Sequence, residues 1–418
     1  MDFSALESPR RAVVIVGGAV AGSEAAAVCL EHGLWPIVIE QNAHPYGKIE
    51  DGLPRWHEKL RALEMETIAG RLNDPRVTFV PSTRLGEHVS LDELANRWGA
   101  CVVLLASGAW RDRPLFVGAH EFLGRGLMLQ NALVADFNQT PDEAHTSGAL
   151  DDALVVGGGL ASIDVVKLLR IQAWQALLRG EGRAASATAL EREGAPEGLA
   201  GRGPTIRLIY RRQKVDMPLS PIAADATPAQ RQKAGEIRTR LVDKVLNRFE
   251  IAFEPGLSVK APVVKEGRLA GLVFAGGDGQ DVVLHAPRVV SAIGSIPEPL
   301  PGVPMRGELL DVEDAERGRL RGFANVYALG NAVTGKGNIK DSRHHAENTT
   351  RRVLRETLEP DPFASAHERA RERAERVVAE CAHREPLTQA EVDRLTQEVQ
   401  GHWTRTGYTG DLTAWLAR

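Results

Sequence analysis

Cysteine is scarce in this chain of 418 residues: there are 3, Cys29, Cys101 and Cys381, far apart and never in a CxxC pair. That spacing excludes a thioredoxin-like dithiol and any cysteine framework for an iron–sulfur cluster or zinc. Cys29 and Cys101 fall in apolar helix-like and strand-like patterns and read as small buried hydrophobes. No apolar run approaches the roughly 20 residues needed to cross a bilayer. The start, MDFSALESPRRA, lacks the apolar core of a secretory leader. Neither sign of charge is in excess: the net charge of −4 gives no argument for nucleic acid or an acidic membrane. His344 and His345 have no acidic partner at metal spacing, so no metal is expected. What is present, 43% hydrophobic and 25% charged residues, fits two or three soluble domains, expected in the cytoplasm.

The apolar pattern opens with AVVIVG, a buried-strand run, then a glycine turn and SEAAAVCLEHG, rich in helix formers and ending at Gly33. PIVIEQ reads as the next strand, EKLRALEMETIAGRL as a helix, and RVTFVPS and ACVVLLASGA as further strands. Residues 153–169, ALVVGGGLASIDVVKLL, repeat the opening pattern of strand, glycines and helix. Residues 171–204 read as a helix plus a solvated, partly mobile insertion rich in Ala, Gly, Arg and Glu. TIRLIYRR resumes the sheet. Residues 250–292, broken by PG, EG and GGDG, read as antiparallel strands, with RVVSAIGS running into small residues. ANVYALGNAVTGKGN is a last strand and glycine-rich turn before a helix from about Lys340. Beyond Pro360 the pattern is helical and charged, and RARERAERVVAE reads as a solvated helix face.

A glycine turn between strand and helix lets backbone approach a pyrophosphate, and the helix start offers free N–H groups. In the first turn the positions are Gly17, Ala19 and Gly22, with Glu40 closing the next strand to accept hydrogen bonds from a ribose. In the second turn they are Gly157, Gly159 and Ser162, followed by Leu160 and Ala161 at the helix start. The strand after it ends in Arg211 and Arg212 instead of an acid. Paired guanidinium groups fit a 2′-phosphate, so NADPH is expected there. Two dinucleotide sites in one chain imply a bound FAD and a diffusing NADPH. The expected fold is α/β, with two Rossmann-like domains and a helical C-terminal tail. The expected boundaries put the FAD domain at 1–112 and 322–360, the NADP domain at 113–321 and the tail at 361–418.

More specific stretches carry a resemblance. PYGKIEDGLPRWH holds Tyr46, Gly47, Lys48, Gly52 and His57; GGGLASIDVVKLL places Asp164; YRR supplies Arg211 and Arg212. ALGNAVTGKGNI holds Gly330, Asn331, Gly337, Asn338 and Ile339, and Gly108 ends ACVVLLASGA. From about residue 12 to 355 the chain resembles the adrenodoxin reductase family, FAD-containing ferredoxin–NADP reductases with the two-domain fold of glutathione reductase. The resemblance implies an FAD site at Gly47, Lys48, Gly108 and the 330–339 turn, and places His57 and Asp164 near the meeting point of the two rings as catalytic candidates for proton traffic. Trp56 and Leu160 depart from the family, standing where it has an acid and often an asparagine; Asn331 replaces the aspartate of the wider fold, a position at which this family also departs. Some stretches, including Arg211, Arg212, Met217 and Pro218, equally resemble the flavin subunit of glutamate synthase.

An acidic carrier would need a local basic face. Arg240, Lys244 and Arg248 form a stripe at helical spacing, with Ile237, Leu241 and Val245 expected to face the core. The leading reading is an FAD enzyme passing electrons from NADPH to a one-electron carrier such as ferredoxin. The alternatives are a flavin input subunit of a larger complex and a non-enzymatic FAD-binding interaction protein.

Overall fold

The structure, a computed structural model, describes residues 11–142, 148–219, 222, 226–277, 279–335, 338–358 and 386–417. Gly337, Cys381 and the segment RARERAERVVAE lie outside the described residues. The chain divides into two compact units. One comprises Met1–Glu50, Lys59–Arg111 and Ile296–Arg418; the other comprises Asp51–Glu58 and Asp112–Ser295. Compared with the boundaries read from sequence, residues 296–321 and the described tail group with the first unit, and 51–58 with the second.

The first unit is built on a parallel five-stranded sheet in the order Val326–Ala328, Val102–Leu105, Ala12–Val16, Trp35–Ile39, Thr78–Val80. Every residue of these strands is buried. A parallel sheet covered on both faces produces such unbroken apolar runs, which is why they stand out in the sequence. Helices Val20–Glu31 and Ile339–Leu358, and helix Glu58–Leu72 from Lys59 onward, belong to this unit. Buried Glu24 pairs with Arg71 at 2.6 Å and lies 3.4 Å from Arg343, which also bonds Glu64, so the three helices share one ion network. Cys29 and Cys101 are buried and free, as expected, and burial pushes the Cys29 thiol far up.

The second unit repeats the plan. Its parallel sheet runs Leu127–Leu129, Arg288–Ala292, Ala153–Gly157, Ile206–Tyr210, Ala252–Pro255. A separate antiparallel sheet in the same unit pairs Ser258–Lys265, Arg268–Ala275 and Asp281–His285. The expectation of antiparallel strands across 250–292 therefore holds for the middle three only. Strands 252–255 and 288–292 join the parallel sheet, because partner choice is set by distant strands and not by local alternation. The insertion also differs from its reading as solvated. Helix Ala187–Glu193 and the chain after it bury Ala187, Leu190 and Leu199 in the core beside Trp174.

Candidate functional site

In the first unit the glycine turn is sterically closed to side chains. Gly17 has φ +101°, and a Cβ there would lie 2.6 Å from the Ala106 carbonyl oxygen. A Cβ on Gly22 would lie 1.7 Å from the Gly17 oxygen. Gly47, at φ +50°, passes so near the turn that its Cβ would stand 3.2 Å from that of Ala19. No side chain caps helix Val20–Glu31, whose first turn also lacks an acid. Both features suit an anionic group approaching the backbone. Glu40 is 5% exposed; the Gly18 N–H donates to its Oε2 at 2.8 Å and the Asn42 N–H to its Oε1 at 2.9 Å. Burial pushes its carboxyl up, and these backbone donors oppose that by favouring the ionised form.

The 330–339 turn lies in the same unit. Gly330 (φ +64°) precedes the short helix Asn331–Thr334, and among the described residues the buried Asn331 Oδ1 has no hydrogen-bond partner. Such an orphan acceptor beside the turn fits a bound polar ring. Asn338 caps helix Ile339–Leu358, its Oδ1 accepting the Asp341 N–H at 2.7 Å while its Nδ2 donates to Asp341 Oδ2 at 2.6 Å. His345, which no sequence motif flags, accepts the Gly330 N–H at Nδ1 (3.0 Å) and so fixes the turn; burial holds its imidazole low. Gly108, at φ +68°, has open space where its side chain would be, and Lys48 opens the short helix Lys48–Asp51. The orphan Asn331 oxygen, the two closed glycine positions and Glu40 fit a flavin dinucleotide.

In the second unit, a Cβ on Gly157 would stand 2.2 Å from the Ala292 oxygen, and one on Gly158 would strike the Tyr210 ring at 2.1 Å. Gly159 faces open space and caps the 21-residue helix Leu160–Gly180, whose first turn has no acid. Leu160 is 56% exposed, Ala161 is half-buried, and Ser162 turns its hydroxyl back onto the Gly159 carbonyl at 2.7 Å. The third glycine is dispensable here because the serine satisfies its own hydroxyl locally. Strands Ala153–Gly157 and Ile206–Tyr210 are parallel neighbours, so Arg211 and Arg212 leave the sheet at the same edge as the turn. Both are exposed. Tyr210 is the residue that sequence reasoning missed. Its ring lies under Gly158, and its hydroxyl accepts from Arg212 Nε at 3.0 Å. The aromatic immediately before the arginines was the available signal.

His57 and Asp164 also meet in this unit. His57 Nε2 lies 3.2 Å from Asp164 Oδ2. Trp56, where the family carries an acid, is 8% exposed and packs on Phe137 with ring centroids 5.1 Å apart. Asn138 Nδ2 donates to the Leu53 carbonyl at 2.9 Å, tying the segment before His57 to the helix Gln130–Gln139.

The basic stripe needs correcting. Helix Pro228–Arg248 buries Gly235, Val242 and Leu246, while Ile237 and Leu241 are 43% and 49% exposed and Val245 is half-buried. A Cβ on Gly235 would stand 2.4 Å from Val215, so the helix approaches its neighbour along the glycine side. Arg240 and Lys244 are exposed beside Ile237 and Leu241, whereas Arg248 is half-buried with its guanidinium 5.7 Å from the Phe249 ring centre.

Two parallel sheets, each with a glycine turn opening a helix, define the glutathione reductase-type FAD/NAD(P) fold. No family model matches the chain. In sequence it is 24% identical to NADPH-ferredoxin reductase FprA of Mycobacterium leprae, covering 90% of this chain and 89% of that protein. It is 28% identical to cindoxin reductase of Citrobacter braakii, a match spanning 38% of this chain and 34% of that protein. Among solved structures, Mycobacterium tuberculosis FprA in complex with NADPH superposes with TM-score 0.67 at 19% identity, covering 94% of this chain and 90% of that one. T. acidophilum thioredoxin reductase superposes with TM-score 0.51 at 14% identity, over 84% of this chain and all of that one (100%). Over nine-tenths of its length the chain is thus similar to a protein named NADPH-ferredoxin reductase, in line with the resemblance its motifs carry. Among the described residues no helix is long and apolar enough to cross a membrane.

Proposed function

We propose that this chain is an NADPH-dependent flavoprotein oxidoreductase, holding FAD in the first unit and taking electrons from NADPH at the second for delivery to a one-electron carrier such as ferredoxin. The observation that carries the reading is the contrast between the turns: buried Glu40 after the first, exposed Arg211 and Arg212 after the second. A carboxylate accepts ribose hydroxyls; paired guanidinium groups bind a 2′-phosphate. Bound FAD supplies a ring that accepts hydride and releases electrons singly. Gly17, Ala19, Gly22, Glu40, Gly47, Lys48, Gly108, Gly330, Asn331, Gly337, Asn338 and Ile339 would hold it. Gly157, Gly159, Leu160, Ala161, Ser162, Arg211 and Arg212 would hold NADPH. His57 and Asp164 are the pair for proton traffic. The relatives named NADPH-ferredoxin reductase support the same reaction, and we place the protein in the cytoplasm on its composition.

Anaerobic addition of NADPH should bleach the flavin of the purified protein; no bleaching would favour a non-enzymatic flavin-binding role. Changing Arg211 and Arg212 together to Ala removes two charge-assisted contacts, each worth roughly 1.5–3 kcal/mol. The preference for NADPH over NADH in kcat/KM should fall at least tenfold, and an unchanged ratio would place the 2′-phosphate elsewhere.

Acidic carriers would dock on the exposed face of helix Pro228–Arg248, where Arg240 and Lys244 flank Ile237 and Leu241, and Arg248 borders it. Charge and an apolar centre together give steering and a desolvated contact. Reversing Arg240 and Lys244 to Glu should slow ferredoxin reduction severalfold at low salt, with the effect shrinking as screening tightens to about 8 Å near 0.15 M. Reduction of a small neutral dye should be unaffected; equal slowing of both would mean damage to the electron path itself. A flavin input subunit remains the second reading, since a subunit of the Escherichia coli NAD-dependent dihydropyrimidine dehydrogenase, PreT, is 25% identical over 40% of this chain and 37% of its own length. Co-purification of a stoichiometric partner would select it.

A further inference from the structure

In the first unit, strand Val326–Ala328 makes its last sheet bond one residue on, where the Leu329 N–H donates to the Leu105 carbonyl at 2.9 Å. The chain then bends at Gly330 (φ +64°, ψ −141°), where a Cβ would stand 2.9 Å from Ser342 Oγ and 3.1 Å from the Ala21 Cβ. Past the sheet, the Gly330 N–H has no strand to bond; it donates to His345 Nδ1 on helix Ile339–Leu358 at 3.0 Å. His345 Nε2 faces the Ala315 carbonyl at 3.4 Å. The segment carrying Ala315 is held against the same strand, since the Ala328 N–H donates to the Gly318 carbonyl at 2.7 Å. A carbonyl only accepts and an amide N–H only donates, so the tautomer is fixed: Nδ1 is bare and the proton sits on Nε2.

We propose that His345 is a positioning residue for the 330–339 turn: as a neutral ring it latches Gly330, and on taking a proton at Nδ1 it lets the turn go. A protonated Nδ1 would set N–H against N–H and leave the Gly330 donor without an acceptor. Gly330 would then rotate, and Asn331, next in the chain, would carry its buried, unpartnered Oδ1 away from its place. The turn would lose the shape that suits a flavin ring. The inference rests on the reading of this turn as part of the FAD site.

The charged groups around His345 are engaged elsewhere. On its own helix, His344 bonds Asn348 at 2.9 Å, Asp341 is taken by Asn338, and Glu347 by Arg351. Beside Ala315, Glu313 pairs with Arg319, Asp314 accepts the Arg317 N–H at 2.7 Å, and Glu316 meets Arg352 at 3.1 Å. Helix Val20–Glu31 brings Ala21 to the bend, while its Glu24 is committed to Arg71 and Arg343. Burial holds the His345 imidazole below the ordinary histidine value; the Ala315 bond opposes this, and the neighbouring His344 adds to it. The latch is therefore closed wherever the ring is neutral and is lost as pH falls through that lowered pKa.

The test titrates flavin-stripped protein with FAD, from about pH 8 downward through the His345 midpoint, for wild type, His345→Asn and His345→Gln. Asparagine keeps an acceptor in the place of Nδ1 and cannot titrate; glutamine carries its amide past Gly330 toward Ala315. At about pH 8 the asparagine variant should bind FAD as wild type does, and the glutamine variant roughly tenfold more weakly. The ratio of wild-type to asparagine-variant affinity should then fall about tenfold for each pH unit below the midpoint. That ratio cancels whatever Glu40 contributes to both proteins. A ratio that stays constant through the midpoint, or a glutamine variant as tight as wild type, overturns the proposal. Should the variants not fold, nitrogen-15 NMR reads the wild type directly. The His345 ring should hold its proton on Nε2 at neutral pH, and the Gly330 amide should titrate with the same midpoint as the ring. A proton on Nδ1, or a Gly330 amide indifferent to the ring, overturns the latch as well. A protein that takes up no FAD at any pH while the two signals move together would instead overturn the flavin reading and leave the latch standing.

Discussion

Gly22→Ala should give a protein that retains no flavin and whose first unit melts well below the wild type. The added Cβ would stand 1.7 Å from the Gly17 oxygen and 2.9 Å from its carbon, both backbone atoms of the same turn. Nothing flexible is available to move. Relief requires either pushing out the start of helix Val20–Glu31 or turning the peptide of the Gly17 carbonyl, whose N–H is that of Gly18 and donates to Glu40 Oε2 at 2.8 Å. Either change displaces Gly18 from Glu40 and opens the cradle that a pyrophosphate needs. Affinity for FAD should fall at least a hundredfold, read from the flavin-to-protein absorbance ratio and from titration of the stripped protein. Gly33→Ala is the control. Gly33 also has positive φ (+67°), yet a Cβ there meets nothing within 4 Å, so only the backbone strain of about 1 kcal/mol applies. Full flavin occupancy in Gly22→Ala would remove the turn from the site.

That turn was legible because its requirements are local. A strand buried on both faces must read as an unbroken apolar run, and a helix starting within three residues of it needs residues without side chains where backbone touches backbone. Glu40 was legible for the same reason, as the next strand end beside the turn. Arg211 and Arg212 followed from the parallel logic of the second copy. Their support was not: Tyr210 acts through its ring under Gly158 and its hydroxyl on Arg212, and only its place directly before the arginines marks it in the sequence.

What escaped was decided by distant partners. On helix Pro228–Arg248, both the Ile237–Leu241–Val245 line and the Val242–Leu246 line are apolar at helical spacing. The choice falls to Gly235, which lets the helix close on Val215 and leaves Ile237 and Leu241 outside. A glycine contributes nothing to a periodicity, so the pattern pointed to the wrong face. The insertion after residue 180 is polar in bulk, and its three anchoring residues, Ala187, Leu190 and Leu199, are too few to register against that background. Asn338 and Asp341 cap each other at the start of helix Ile339–Leu358, so part of the helix end beside the 330–339 turn is already taken by the chain's own side chains.

Trp403→Ala should destabilise the first unit by about 3–5 kcal/mol, the usual range for emptying a buried tryptophan site. The described tail had no counterpart in the resemblance, yet it is part of that unit's core. Helix Gln389–Thr406, opened by the reciprocal cap of Thr388 and Glu391, buries Val392, Leu395, Val399 and Trp403. The Trp403 indole donates to the Phe79 carbonyl at 2.9 Å, at the edge strand Thr78–Val80. Tyr408 stands edge-on to Phe79, Trp403 and Trp415, with centroids 6.1, 5.4 and 5.4 Å away. Trp415 in turn donates to the Ala43 carbonyl at 2.7 Å. Phe79 and Ala43 lie on either side of the segment that carries Glu40: the Glu40 N–H bonds Val80, and the Asn42 N–H bonds the Glu40 carboxylate. Loosening the aromatic cluster should therefore release flavin as well as lower the melting point. Trp403→Phe keeps a ring in place and loses one hydrogen bond, so it should cost roughly 1–2 kcal/mol. Denaturant titrations followed by flavin fluorescence separate the cases, with binding of a nicotinamide nucleotide at the second unit as the control. A Trp403→Ala protein with an unchanged midpoint would show that the tail merely lies on the surface of the unit, and that its aromatic residues must be explained by a partner instead.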